Sequence, residues 1–182
     1  MQLYRVHPWV EGVADAEPYG PLFIPPGQGR GRWDNPDLYA LRHFAMTPEG
    51  AVAETFGSLT RWSIEMFRVP RNADAVRALS TYELPDETAL AQLADPQVLC
   101  DFKVEAVTDV IERNTRRTQR LAATIFGLGE WDGISWWSYH HPSIALAITW
   151  DSPQIRCVDT RVLDLDTDTV KDAAELIVRS VR

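Results

Sequence analysis

The spacing of apolar positions divides the chain into a proline-rich first part and a patterned remainder. Between 47 and 57, Thr47 suits a helix N-cap, Pro48 its first position and Glu49 the positive end of its dipole. A helix is predicted to Phe56, ended by Gly57. Its core face is Val52 and Phe56, one turn apart, and Glu54 falls on a different side. Leu121, Ala122, Ile125 and Phe126 share one face of a second helix, Thr115–Phe126, capped by Asn114 and followed by Gly127. Val170, Ala173, Ala174, Ile177 and Val181 form the stripe of a terminal helix capped by Asp168. A short helix, Glu87–Ala94, is expected between Asp86 as cap and Pro96, which helps to end it. Roughly alternating apolar positions predict strands over 60–69 and 75–84, with further strand-like runs at Gly133–Tyr139 and Ser143–Trp150. Shorter strands are expected at Leu38–Leu41 and near Arg161–Leu165. Strands and helices mix without a regular βαβ alternation, so the expected class is α+β rather than a doubly wound sheet.

Residues 18–36, PYGPLFIPPGQGRGRWDNP, cannot be helical, because proline fixes φ and removes donors while glycine adds freedom. Loops this long are usually functional or disordered. Tyr19, Leu22, Phe23, Ile24 and Trp33 argue for an ordered one.

At 182 residues the chain is expected to form a single domain, 1–182, able to bury a core without disulfide or metal staples. Apolar residues at 45% and charged residues at 24% exclude a disordered tail and a fibre. No apolar run reaches the ~18 residues of a transmembrane helix. The opening MQLYRVHPW has no apolar core of a secretory signal, so a cytoplasmic location is expected. Eighteen basic against 26 acidic residues give a net charge of −8, a poor surface for direct nucleic-acid binding. Cys100 and Cys157 stand in no C-x-x-C pair and read as reduced thiols. The seven tryptophans are spread without a repeat; some belong to the core, and others suit a pocket for a flat ring.

Candidate chemistry is sparse. GQGRGRW at 27–33 is not a dinucleotide fingerprint, since no strand precedes it and no helix follows. It reads either as a solvated turn or as a loop whose Arg30 and Arg32 could grip a diphosphate. His140 and His141 point apart on a strand and lack a third ligand at a recognisable spacing, so no metal site is expected. No G-x-S-x-G elbow marks a nucleophile. Asp164, Asp166 and Asp168 lack the glycine and closing glutamate of a calcium loop. Glu54 alone reads as a surface helix residue.

Taken together, however, Arg32-Trp33, Pro36, Leu38-Tyr39-Ala40 and Ala53-Glu54 resemble the signature of the RES domain, named for its Arg, Glu and Ser. Tyr4-Arg5-Val6 is similar to that family's opening strand, and Thr118-Gln119 stands where the family has a helix. Asp132 to Ser138, DGISWWS, resembles its Gly-Ile-…-Ser segment, with an apolar strand, Ile144–Trp150, after it. Asp34 departs from the asparagine common there, with Asn35 next to it, and Ser143 is a second candidate for the family serine.

The resemblance implies a fold like that of ADP-ribosyltransferases and the toxin role of a bacterial toxin–antitoxin pair. It implies NAD as substrate, with phosphate, water or a protein side chain as acceptor, and no cofactor or metal. The alternatives are protein ADP-ribosylation and a catalytically silent module that binds NAD or an antitoxin. By position the site would comprise Glu54, Arg32, Tyr39 and Ser138, with Arg5, Arg32, Tyr39 and Ser138 holding the dinucleotide. The nicotinamide of NAD is already cationic and leaves without a proton, so a single carboxylate suffices, unlike the pair of ordinary glycosidases. The implied partner is a small, helical, DNA-binding antitoxin; a homodimer is left open.

Overall fold

The computed structural model describes residues 1–70, 72–111, 115–151 and 154–182. Its elements are β1 (Gln2–Trp9), β2 (Leu41–Ala45), α1 (Pro48–Phe56), β3 (Arg61–Trp62), β4 (Val76–Glu83), β5 (Leu90–Gln92), α2 (Pro96–Asp101), α3 (Thr115–Leu128), β6 (Gly133–Trp137), β7 (Ala145–Trp150), β8 (Arg156–Val162), α4 (Asp168–Leu176) and β9 (Ser180–Val181). Among the described residues, seven strands form one sheet in the order β5-β6-β7-β2-β1-β4-β8. Neighbours are antiparallel except β5 and β6, and β3 and β9 form a separate parallel pair. The class is α+β, in one compact unit.

Alternation along the strands gives the sheet two apolar faces. Val6, Ala45, Leu146 and Ile148 join the larger core with Val52 and Phe56 of α1, Ile125 of α3 and Val170 of α4. Leu3, Phe44, Tyr82 and Ala147 point the other way into a smaller cluster. The proline-rich loop straps that second face. Three successive carbonyls receive side-chain donors: Pro21 from Tyr82 (2.7 Å), Leu22 from Arg42 (3.1 and 3.2 Å) and Phe23 from Arg5 (3.3 Å). Beside them, burial pushes His7 down to about 4, so the ring is neutral. Its Nδ1 donates to the Pro8 carbonyl at 2.9 Å, which leaves Nε2 to accept from Ser80 at 2.8 Å.

The sheet is not evenly zipped. β1 pairs with β4 along its whole length, but meets β2 only at Tyr4 and Ala45. Beyond that pair the two central strands part and leave a slot.

Several elements differ from the sequence-based expectation. The strand expected at Leu38–Leu41 begins only at Leu41, because Leu38 and Tyr39 close a turn onto the Asn35 carbonyl. The run 60–69 is a two-residue strand followed by a 3₁₀ turn, Ile64–Phe67, which brings Trp62 and Phe67 onto Phe56 at 6.1 and 5.5 Å. No helix occupies 87–94: Leu90–Gln92 pairs with β6, and Pro96 opens α2, whose cap is Asp95. Asp86 instead pairs with the N-terminal ammonium at 3.1 Å. The strand expected near Arg161–Leu165 runs from Arg156 to Val162. Thr167, not Asp168, sits at the cap position of α4, and Val181 leaves that helix for β9. The expected cap Asn114 lies outside the described residues.

Gly133 offers a test of the β6–β7 packing. A Cβ there would lie 2.0 Å from the Ile148 carbonyl oxygen, whereas one at Gly127, exposed on α3, meets nothing within 4 Å. Gly133→Ala is expected to cost about 1–3 kcal/mol by overpacking. Gly127→Ala should be neutral or stabilising by about 0.5–1 kcal/mol, since it removes backbone freedom from a helix. Urea unfolding midpoints of the two variants check both.

Candidate functional site

Glu54 reaches the slot because α1 is held at a fixed rotation. Thr47 caps it, its hydroxyl accepting from the Gly50 amide at 3.0 Å, and Ala51, Val52, Ala53 and Phe56 are buried. The exposed side of the helix therefore presents Glu54 and Thr55 to the slot. Tyr4, Arg5 and Val6 of β1 and His43, Phe44 and Ala45 of β2 line it, around a volume of about 110 Å³. Ser138, just past β6, is buried and donates to Glu54 Oε2 at 2.7 Å. Its oxygen also accepts the His140 amide at 3.0 Å, which aims its hydrogen at the carboxylate. Ser143 is exposed and bonded to His141 at 2.7 Å. Of the two serines, Ser138 is the one that touches Glu54.

The glycine loop is wired rather than loose. Asp34 Oδ2 accepts the Gly29 amide at 2.8 Å and the Gly31 amide at 2.7 Å. Gln119 of α3 donates to the carbonyls of the same two glycines at 3.2 and 2.9 Å. Gly31 is required by closeness: a Cβ there would lie 2.6 Å from Asp34 Oδ1. The His43 imidazole beside it, together with the two amides, holds the Asp34 carboxyl down at about 2, against the opposing effect of burial. These amides are spent on Asp34, so the arginines are what the loop offers a ligand. Arg30 is exposed. Arg32 is fixed by Thr118, whose hydroxyl donates to the Arg32 carbonyl at 2.5 Å, and by its own guanidinium donating to the Ile111 carbonyl at 3.3 Å. Burial lowers its pKa and the nearby Glu54 carboxylate raises it again, which places Arg32 within the field of Glu54.

Ser138 therefore meets Glu54 directly, and Arg32 lies within the field of that carboxylate. Arg5 and Tyr39 are placed differently. Arg5 projects from the strapped face, borders the slot and also borders a cavity of about 220 Å³ beneath the strap, with Tyr19, Phe23 and Pro25. Its desolvated guanidinium is depressed from its usual range by burial. Tyr39 is buried against Phe126 and Trp150, at ring separations of 4.8 and 4.4 Å. Burial pushes its phenol up to about 12, so it acts as a neutral donor, to the Trp33 carbonyl at 2.7 Å. It fixes the residue next to Arg32 from behind and lines none of the slot.

Sequence reasoning passed over His43 and the role of Asp34. A signal for His43 was present: it alternates with Leu41 and Ala45, both buried, yet its side chain is 51% exposed. A polar residue on the core face of a strand marks a place where that face opens. A larger cleft of about 390 Å³ between α3 and residues 102–109 holds none of these groups, and Arg117 within it is paired with Asp109 at 2.8 Å. Among the described residues, no group of three His, Cys, Asp or Glu could hold a metal ion, and no helix is long and apolar enough to cross a membrane. Both cysteines are free.

The family model described as the RES domain matches residues 2–170. None of the curated proteins matches the chain. A chain in the crystal structure of the M. tuberculosis MbcT–MbcA toxin–antitoxin complex is similar in fold, with a TM-score of 0.62 and 16% identity over 97% of this chain and 88% of that chain.

Asp34 should contribute to acid stability in a defined window. Its folded-state pKa of about 2 lies below the ordinary carboxylate value of about 3.9, so its contribution is complete above that value and is lost as pH falls toward 2. Asp34→Ala is expected to flatten the acid-unfolding curve between about pH 4 and pH 2. It should also speed amide exchange at Gly29 and Gly31, which lose their acceptor. Unchanged exchange at those two amides would show that the carboxylate is not the anchor.

Proposed function

The chain belongs to the RES-domain family, and from that premise we propose that it is the toxin of a toxin–antitoxin pair, cleaving the nicotinamide–ribose bond of NAD. The observation that carries this reading is the Glu54 carboxylate, aimed into the slot by the Ser138 hydroxyl at 2.7 Å with Arg32 beside it. Nicotinamide departs as a neutral base, taking the electron pair of the C–N bond, and positive charge develops on the ribose. A carboxylate already oriented for that charge stabilises the transition state more than the ground state. Arg5, which borders the slot, and Arg32, within the field of Glu54, suit the diphosphate through charge-assisted hydrogen bonds. Ser138 keeps Glu54 in place and can turn to a ribose hydroxyl. Tyr39 shapes the site by fixing Trp33. The acceptor is water or phosphate, and the reaction calls for no cofactor.

Such an enzyme harms its own cell unless covered, and the similar fold comes from a toxin–antitoxin complex. The antitoxin would cover the slot and the proline-rich rim around Phe23 and Ile24, burying on the order of 1,200–2,000 Å².

Nicotinamide release in single turnover, with and without phosphate, tests the activity. Glu54→Gln keeps shape and hydrogen bonding but loses the charge, so release should slow by about 10²–10³. NAD binding, followed by titration, should weaken much less. Arg32→Ala should weaken binding and slow turnover together, because a diphosphate anchor acts in both states. Full activity in Glu54→Gln would overturn the mechanism.

A further inference from the structure

In the cleavage proposed above, the acceptor must lose a proton when it is water, and Glu54 is poorly suited to take it. Its Oε2 already accepts from Ser138, and its charge is needed at the ribose. A second group on the slot is free of both duties. His43 lines it across from Glu54, with its side chain half exposed. Its Nε2 faces Asp34 Oδ1 at 3.9 Å, while Asp34 Oδ2 is fixed by two backbone amides. The imidazole edge also rests against Trp136, with ring centroids 6.4 Å apart and planes at 81°. A buried, immobile carboxylate 3.9 Å from Nε2 favours hydrogen on that nitrogen through its charge, with the lone pair on Nδ1.

We propose that His43, oriented by Asp34, is the general base that takes the proton of an attacking water in the slot. This rests on the NAD-cleaving reading. In the step, the water oxygen forms a bond to the ribose C1 as the bond from C1 to the nicotinamide nitrogen breaks. The electron pair of that bond leaves with nicotinamide, the water proton passes to His43 Nδ1, and the exposed imidazolium returns it to solvent. Asp34 is a positioning residue that stays ionised throughout. Phosphate dianion attacks without losing a proton, so the base serves hydrolysis and not phosphorolysis. The charged and titratable groups around the imidazole are Asp34 from the glycine loop, Glu54 from α1, and Tyr4 and Arg5 from β1, and Arg32 lies within the field of Glu54.

The experiment measures nicotinamide release by the full chain in phosphate-free buffer and with added inorganic phosphate, across pH. His43→Ala should lose about 10²–10⁴-fold in phosphate-free release, the span expected of general-base assistance. With phosphate its loss should stay below about tenfold, well short of that span. Exogenous imidazole should restore much of the phosphate-free rate, which a merely structural role would not allow. The wild-type phosphate-free profile should carry an acidic limb that His43→Ala lacks. Asp34→Asn should fall between the two. Phosphate-free release by His43→Ala within threefold of wild type overturns the proposal. So does a loss that imidazole leaves unrepaired in a folded, NAD-binding variant, and so does a wild type that releases nicotinamide only when phosphate is present. A wild type silent in both buffers overturns the NAD reading as well, and is told apart by that silence.

Discussion

The buried carboxylate of Asp34 sets the geometry of the site from one atom. Its Oδ2 takes two amides of a loop that would otherwise be the most flexible stretch of the chain. With Gly29 and Gly31 fixed on one side and Gln119 holding their carbonyls on the other, Arg32 has little freedom in where its backbone lies. The next residue, Trp33, is fully buried against Trp136 at 5.1 Å, and its carbonyl is held by Tyr39. A residue with a side chain in place of Gly31 would collide with the carboxylate itself. Glycine there gives close approach rather than mobility, and the loop is ordered by a charge-assisted contact worth more than a neutral hydrogen bond.

The slot depends on a different constraint, the failure of β1 and β2 to pair beyond Tyr4 and Ala45. Each strand is secured on its other side, β1 by β4 and β2 by β7, so the split costs the sheet no more than a few ladder bonds. The two cations behind it, Arg5 and Arg42, are costly to bury without partners. The strap resolves this by bringing the Leu22 and Phe23 carbonyls to them. The proline-rich loop thus does for the second face what helices do for the first: it covers apolar surface and satisfies polar groups. Proline suits that task, because it supplies carbonyl acceptors and no amide needing a partner.

Elements with local signals were legible in the sequence. The Thr47-Pro48 cap and the Val52–Phe56 face placed α1 correctly, and the same periodicity left Glu54 pointing away from the core. The 75–84, 133–139 and 143–150 runs are strands in nearly those bounds. Errors arose where partners distant in sequence decided. Residues 87–94 lack a strong strand pattern, but Leu90 and Ala91 gain burial by pairing beside β6. Pro96 was ambiguous between ending one helix and starting another, and the Asp95 cap settles it. The meeting of Glu54 with Ser138 spans 84 positions and has no local signature; only the RES resemblance put them on one list. Tyr39 and Arg5 show the limit of that route. A motif lists residues together, and only packing says that one lies behind the slot and another projects from the opposite face of the sheet.

The charge distribution follows from the same arrangement. A body with net charge −8 repels polyanions at long range, yet Arg5 borders the slot and Arg32 lies within the field of Glu54. Burial weakens the hydration of each guanidinium, so an anion that reaches one gains more there than on the open surface. The exposed carboxylate of Glu54 acts on Arg32 and tempers that gain. The NAD proposed as substrate would answer both signs at once, since its diphosphate is negative and its nicotinamide end positive. An inorganic anion answers only one of them.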